Sequence, residues 1–101
     1  MTITELYKII VNRKKSEDTA SYTASLFTSG TDRIIQKVGE ESVEVVIAAK
    51  NDDRDEFVGE VADLYYHLLV LLVAKDISFE EIEMKLEERH TKKTGSKENN
   101  T

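Results

Sequence analysis

The chain has 101 residues, no proline, four glycines and no cysteine. That length suits one domain with a modest core, and the missing cysteine excludes both a disulfide framework and a thiolate metal site. A formal charge of −6 argues against a nucleic-acid binder, which carries a basic face, and the Glu, Leu, Lys and Val content favours an all-α fold.

In chain order, the first segment lacks the long uncharged apolar core of a signal peptide, which with the absent cysteine fits a cytoplasmic protein. Thr4 is placed to cap a first helix through Leu6, Ile9 and Ile10 that ends at the basic cluster Arg13, Lys14 and Lys15. A polar loop, Ser16 to Thr19, leads to a shorter helix around Tyr22, Leu26 and Phe27, closed by the stop signal Ser29-Gly30. The third helix starts at Thr31 or Asp32 and continues to Lys50. The linker Asn51 to Asp55 is short and polar, so the fourth helix must fold back antiparallel, with Asp55 as its N-cap and its end near Lys75. Ser78-Phe79-Glu80-Glu81 is a capping box that opens a fifth helix through Ile82, Leu86 and Arg89. Residues 1–90 read as the domain; 91–101, polar and without periodicity, read as a disordered tail. The most apolar run, Leu64 to Ala74, is broken by His67 and has about half of the ~20 residues of a membrane span, so it reads as a buried helix.

The third and fourth helices carry the chemistry. Ile35, Val38, Val45, Val46 and Ala49 share one face of the third helix, Val43 and Ile47 lie nearly opposite, and Lys37, Glu41, Glu44 and Ala48 form a stripe between them. In the fourth, Glu56, Glu60, Asp63 and His67 form a polar seam in an otherwise apolar helix. Helices apolar on both flanks in so small a chain predict a homodimer. Counted from Asp53, Glu44 lies nine residues before the turn and Asp63 ten after it, so Glu41–Glu44 and Glu60–Asp63 meet at one height. Four carboxylates in an apolar interior need cations. An ion-pair network with Lys37 would answer that need, as would a divalent metal. All-oxygen ligands with a single nearby histidine favour Mg²⁺, with Mn²⁺ as a substitute, and a metal site implies a phosphorylated substrate. A di-iron site would want two Glu-x-x-His motifs, which these helices lack. His67 is expected to be a core histidine hydrogen-bonded near Asp63, and Tyr65 and Tyr66 core aromatics with satisfied hydroxyls. Glu80, Glu81, Glu83, Glu87 and Glu88 read as a solvated helix face.

Glu40-Glu41-Ser42-Val43-Glu44 followed by Glu60-Val61-Ala62-Asp63 resembles the E-E-x-x-E … E-x-x-D pattern of the MazG-like all-α nucleotide pyrophosphohydrolases. The segments Ser21-Tyr22-Thr23-Ala24, Lys37-Val38-Gly39-Glu40-Glu41 and Asp63-Leu64-Tyr65-Tyr66-His67-Leu68-Leu69 are more specifically similar to the phosphoribosyl-ATP pyrophosphohydrolase family of histidine biosynthesis. The resemblance implies a dimeric helical bundle that cleaves the α–β phosphoanhydride of phosphoribosyl-ATP to phosphoribosyl-AMP and pyrophosphate. It implies Mg²⁺ ligands at Glu41, Glu44, Glu60 and Asp63, with Glu40 as a further ligand or a carboxylate behind them. Glu41 or Glu44 would be the proton acceptor, and Arg33, Lys37 and Lys50 would contact phosphates. Tyr65, where relatives often carry Leu, faces away from the acidic stripe. The alternatives are a pyrophosphohydrolase of ordinary or damaged nucleoside triphosphates, sharing the metal site, and a non-catalytic helical interaction protein. Segments outside the acidic motif favour the first reading.

Overall fold

A computed structural model describes residues 1–16 and 21–96, with side chains as far as Lys92. Five helices follow one another: α1 (Ile3–Lys15), α2 (Tyr22–Ser29), α3 (Thr31–Ala49), α4 (Arg54–Ala74) and α5 (Phe79–Ser96), with no strand among the described residues. α3 and α4 form a closely packed hairpin, α1 lies against α4 and α2, and α2 against α3. The body is elongated, 49 × 34 × 27 Å.

Local chemistry sets the helix ends. Thr2, not Thr4, caps α1, its hydroxyl accepting from the Glu5 amide at 3.1 Å. Either threonine suits a cap by type, but Thr2 lets the helix begin at Ile3 and turn that side chain toward the core. Of the polar loop expected over Ser16 to Thr19, Ser16 is the C-cap of α1 and the remainder lies outside the described residues. Gly30, with φ of 103°, closes α2 and opens α3, a backbone conformation that L side chains rarely adopt. Asp53 rather than Asp55 caps α4, accepting from the Glu56 amide at 3.0 Å, so Asp55 falls in the first turn and the linker is shorter than expected. The capping box holds: Ser78 accepts from the Glu81 amide, and the Glu81 carboxylate accepts from the Ser78 amide at 3.0 Å. No breaker follows before Gly95, and α5 continues to Ser96, so Thr91 to Ser96 are helical where the sequence suggested tail.

The core is small. Ile10, Leu26, Ile34, Leu69, Val70 and Val73 are buried together, backed by Leu6, Tyr7, Phe27, Tyr66 and Phe79. Tyr7 ties α1 to the α4–α5 turn by donating its hydroxyl to the Ile77 carbonyl at 2.8 Å. The doubly apolar helices do not find their second surface within this chain. Only Ile34 and Ala48 of α3 are buried, whereas Val43, Val46 and Ile47 are more than half exposed, as are Val58 and Tyr65 of α4. Tyr65 therefore departs from the expected core position. Between α1, α4 and α5 an apolar groove of about 340 Å³ is lined by Ile3, Tyr65, Leu68, Leu72, Ile82 and Leu86. By length and composition α4 is the one helix among the described residues that could cross a membrane, and 22% of its most apolar window is buried.

Candidate functional site

The hairpin register brings carboxylates of α3 and α4 together. Glu41, Glu60 and Asp63 each present a carboxylate oxygen within 4.8 Å of the others. Glu44 stands one turn further along α3, near enough to repel Glu60. Burial raises the Glu60 carboxyl above the ordinary range, and the negative charges of Glu44, Asp63, Glu41 and Glu56 push it further the same way. The surroundings differ from those expected: Glu44 and Asp63 are exposed and Glu41 and Glu60 only half-buried, so the cluster opens on the protomer surface rather than in an apolar interior. The apolar neighbours that suggested burial, Val43, Val46 and Ile47, face solvent beside it.

The basic residues separate. Lys37 bridges Glu40 and Glu41, its Nζ lying 3.5 Å from a carboxylate oxygen of each. Burial alone would lower the Lys37 ammonium, but the Tyr22 hydroxyl, Glu40 and Glu41 outweigh it and hold it above its ordinary value. The Glu41 side chain is 13% exposed and that of Glu40 46%, so Glu41 is tucked against the hairpin and Glu40 stands outside the trio. Glu40 accepts from the Gln36 amide at 3.0 Å; that bond first, then Lys37 and Arg33, holds its carboxyl below the ordinary range. Arg33 is thus on the Glu40 side of the site. Lys50 is the exposed C-cap of α3, roughly 9 Å beyond Glu44 along the axis at 1.5 Å per residue, and is not brought to the trio.

His67 lies under the cluster, buried, its Nδ1 2.8 Å from the Asp63 carbonyl oxygen. A carbonyl only accepts, so Nδ1 carries the proton and, in the neutral ring, Nε2 accepts from the Tyr22 hydroxyl at 3.1 Å. This agrees with a hydrogen-bonded core histidine. Tyr66 packs edge-on to His67 with ring centroids 4.9 Å apart, and its hydroxyl shares a hydrogen bond with Thr23. The Tyr22 and Thr23 contacts were beyond sequence reasoning; the only signal was one histidine in the most apolar helix together with the Ser-Tyr-Thr-Ala segment.

The donor set suits a hard divalent cation. Mg²⁺ takes oxygen ligands at about 2.0–2.1 Å, which places opposite ligands roughly 4.2 Å apart. The three oxygens lie within 4.8 Å of one another on two helices, partly open to solvent, and closing on one ion would draw adjacent ones to about 2.9 Å. Lys37 leaves the cluster a net negative charge even after its two ion pairs.

The family model of phosphoribosyl-ATP pyrophosphohydrolase matches residues 3–90. A phosphoribosyl-ATP pyrophosphatase of Bacillus cytotoxicus is 56% identical over 84 residues, 83% of this chain and 78% of that protein. One of Lactiplantibacillus plantarum is 50% identical over 94 residues, covering 93% and 89% of the two chains. The histidine biosynthesis bifunctional protein HisIE of Caldanaerobacter subterraneus is 52% identical over 90 residues, 89% of this chain but 44% of the longer protein.

Proposed function

Since the chain belongs to the phosphoribosyl-ATP pyrophosphohydrolase family, we propose that it hydrolyses phosphoribosyl-ATP to phosphoribosyl-AMP and pyrophosphate, a step of histidine biosynthesis. One water is consumed, and the α–β phosphoanhydride is the bond that breaks. The observation that carries the chemistry is the convergence of Glu41 from α3 with Glu60 and Asp63 from α4. These three would hold Mg²⁺, or Mn²⁺ in its place, which supplies neutralisation of the triphosphate charge and a lowered pKa for water.

The rest falls to the chain's own side chains. Glu44, beside the trio and exposed, would accept the proton of the attacking water. Glu41 serves as ligand and is oriented by Lys37; Glu40 stands behind it as the second anchor of that ammonium. Lys37 and Arg33 lie on the side from which phosphate oxygens would approach, and Lys50 is left as a remote contact at the helix end. His67 fixes the turn of α4 that presents Asp63.

The functional unit is a homodimer. Val43, Val46, Ile47, Val58 and Leu68 are large apolar side chains left in solvent on the two helices that carry the site. Lipid is a poor cover for that surface, because Glu60 and Asp63 lie on the same helix. A second copy buries the apolar flanks and leaves the carboxylates along the seam. A triphosphate ester does not cross membranes, so the reaction belongs to the cytoplasm.

The test is pyrophosphate release from phosphoribosyl-ATP and from a panel of ordinary nucleoside triphosphates, with and without Mg²⁺. Mg²⁺-dependent release from phosphoribosyl-ATP alone is expected. Equal release from the ordinary triphosphates would refute the substrate while leaving the site chemistry in place.

A further inference from the structure

Tyr22 is built the wrong way round for a core tyrosine. A tyrosine at a domain surface ordinarily buries its ring and sends its hydroxyl to water. Here the hydroxyl turns inward to a hydrogen bond with Nε2 of buried His67, 3.1 Å away, while the residue remains 53% exposed. The inward hydrogen bond fixes the ring at its polar end. Tyr66 stacks on it at 6.2 Å with the planes 27° apart, and His67 meets it nearly edge-on at 79°. An aromatic ring is thereby fixed by a hydrogen bond and two ring contacts in a residue that is half exposed.

Its position gives that surface a use. Through His67 it is two hydrogen bonds from the backbone of Asp63. On the other side it stands near Lys37, which is paired with Glu41, so both connections lead to the carboxylate trio. A ligand whose phosphates meet Lys37 and a trio-bound cation would bring its remaining part over this region. A rigid, open aromatic ring stacks on a planar heterocycle whatever its hydrogen-bonding edge. We propose that Tyr22 is a specificity-determining residue whose exposed ring stacks on the purine of the nucleotide, which deepens, and rests on, the substrate reading above.

The experiment titrates ATP and, separately, inorganic tripolyphosphate, which has no base, into the wild-type protein and the variants Tyr22→Phe and Tyr22→Leu at constant Mg²⁺. Tyr22→Leu should weaken ATP roughly tenfold, the scale of one lost base stack, and leave tripolyphosphate unchanged. Tyr22→Phe keeps the ring and should hold ATP within about threefold of wild type on the same scale. Equal weakening of both ligands would mean that Tyr22 only supports the scaffold, and would overturn the proposal. So would unchanged ATP affinity in Tyr22→Leu, or a wild-type protein that does not prefer ATP to tripolyphosphate. A changed mass of Tyr22→Leu in light scattering would assign the ring to a second copy instead, again against the proposal. Phosphoribosyl-ATP turnover by the wild type separates the two readings: ring-dependent ATP binding without that turnover sustains the stacking surface and sinks the substrate assignment.

Discussion

Loading the apo protein with Mg²⁺ should raise its melting temperature, and Glu41→Gln should remove most of the rise. Glu41 is contributed by α3, Glu60 and Asp63 by α4, so an ion held by all three clamps the hairpin and is released on unfolding. An ion at a hundred times its Kd adds about 2.7 kcal/mol. A domain of this size shifts by about 4–8 °C per kcal/mol, which gives a rise of about 10–20 °C. Glu41→Gln preserves shape but leaves two charged ligands, both on one helix. Glu40→Gln is the control, because Glu40 lies outside the trio and is bonded to Gln36 and Lys37. Thermal denaturation followed by circular dichroism, with Mg²⁺ varied from zero to tens of millimolar, gives the comparison directly. A full rise in Glu41→Gln, or its loss in Glu40→Gln, would refute the assignment of ligands.

Removing the Glu60 charge should stabilise the metal-free protein. Its folded carboxyl binds a proton more tightly than the unfolded one at 4.5, so this group's contribution is fully present below that pH and lost as pH rises through the folded value. Glu60→Gln should therefore flatten the fall in melting temperature between acid and neutral pH in chelator; an unchanged profile would contradict the repulsion. Glu44→Gln should abolish pyrophosphate release, by at least about a hundredfold, while the helical spectrum is retained; near-normal turnover would exclude Glu44 as the proton acceptor. Val46→Glu together with Val58→Glu should yield a monomer by light scattering, and an intact dimer would place the interface elsewhere. Ile10→Ala, at a fully buried position, should cost about 2–5 kcal/mol in urea unfolding; a smaller loss would mean that the α1–α4 contact contributes little.

The order of the helices and the facing of the acidic pairs were legible because they depend on local rules: cap chemistry, one glycine at positive φ, and a rise per residue that is the same on both arms of a hairpin. The register brought the pair Glu41–Glu44 to the height of Glu60–Asp63 before any packing was known, but did not show that Glu41 rather than Glu44 joins the two carboxylates of α4. Cap positions were less legible, since Thr2 and Thr4, or Asp53 and Asp55, are equivalent by type and differ only in which side chains the helix then turns inward. Val43, Val46, Ile47 and Tyr65 are not covered within one protomer, because an apolar side chain shows that a surface wants covering but not which chain covers it. The hydrogen bonds of Tyr22 and Thr23 escaped notice for a related reason: their partners, His67 and Tyr66, lie more than forty residues away.

The exposed flanks and the exposed carboxylates belong to one arrangement. A cluster with Glu44 and Asp63 in water is screened, so its charges couple weakly to a triphosphate. Val43, Val46 and Ile47 are exposed on α3, which carries Glu41 and Glu44, and Val58 on α4, which carries Glu60 and Asp63, so the surface that a second copy would bury runs along the helices that hold the cluster. Covering it lowers the dielectric around the cluster and strengthens each attraction to a cation. It also strengthens the repulsion that already raises the Glu60 carboxyl, so the paired state without metal is the costlier one. Association and Mg²⁺ binding should therefore favour one another, which linkage makes reciprocal: Mg²⁺ should lower the dimer dissociation constant by the factor by which dimerisation tightens Mg²⁺. Sedimentation in chelator and in saturating Mg²⁺ measures that factor, and a dissociation constant unchanged between the two would show that the site is complete within one protomer.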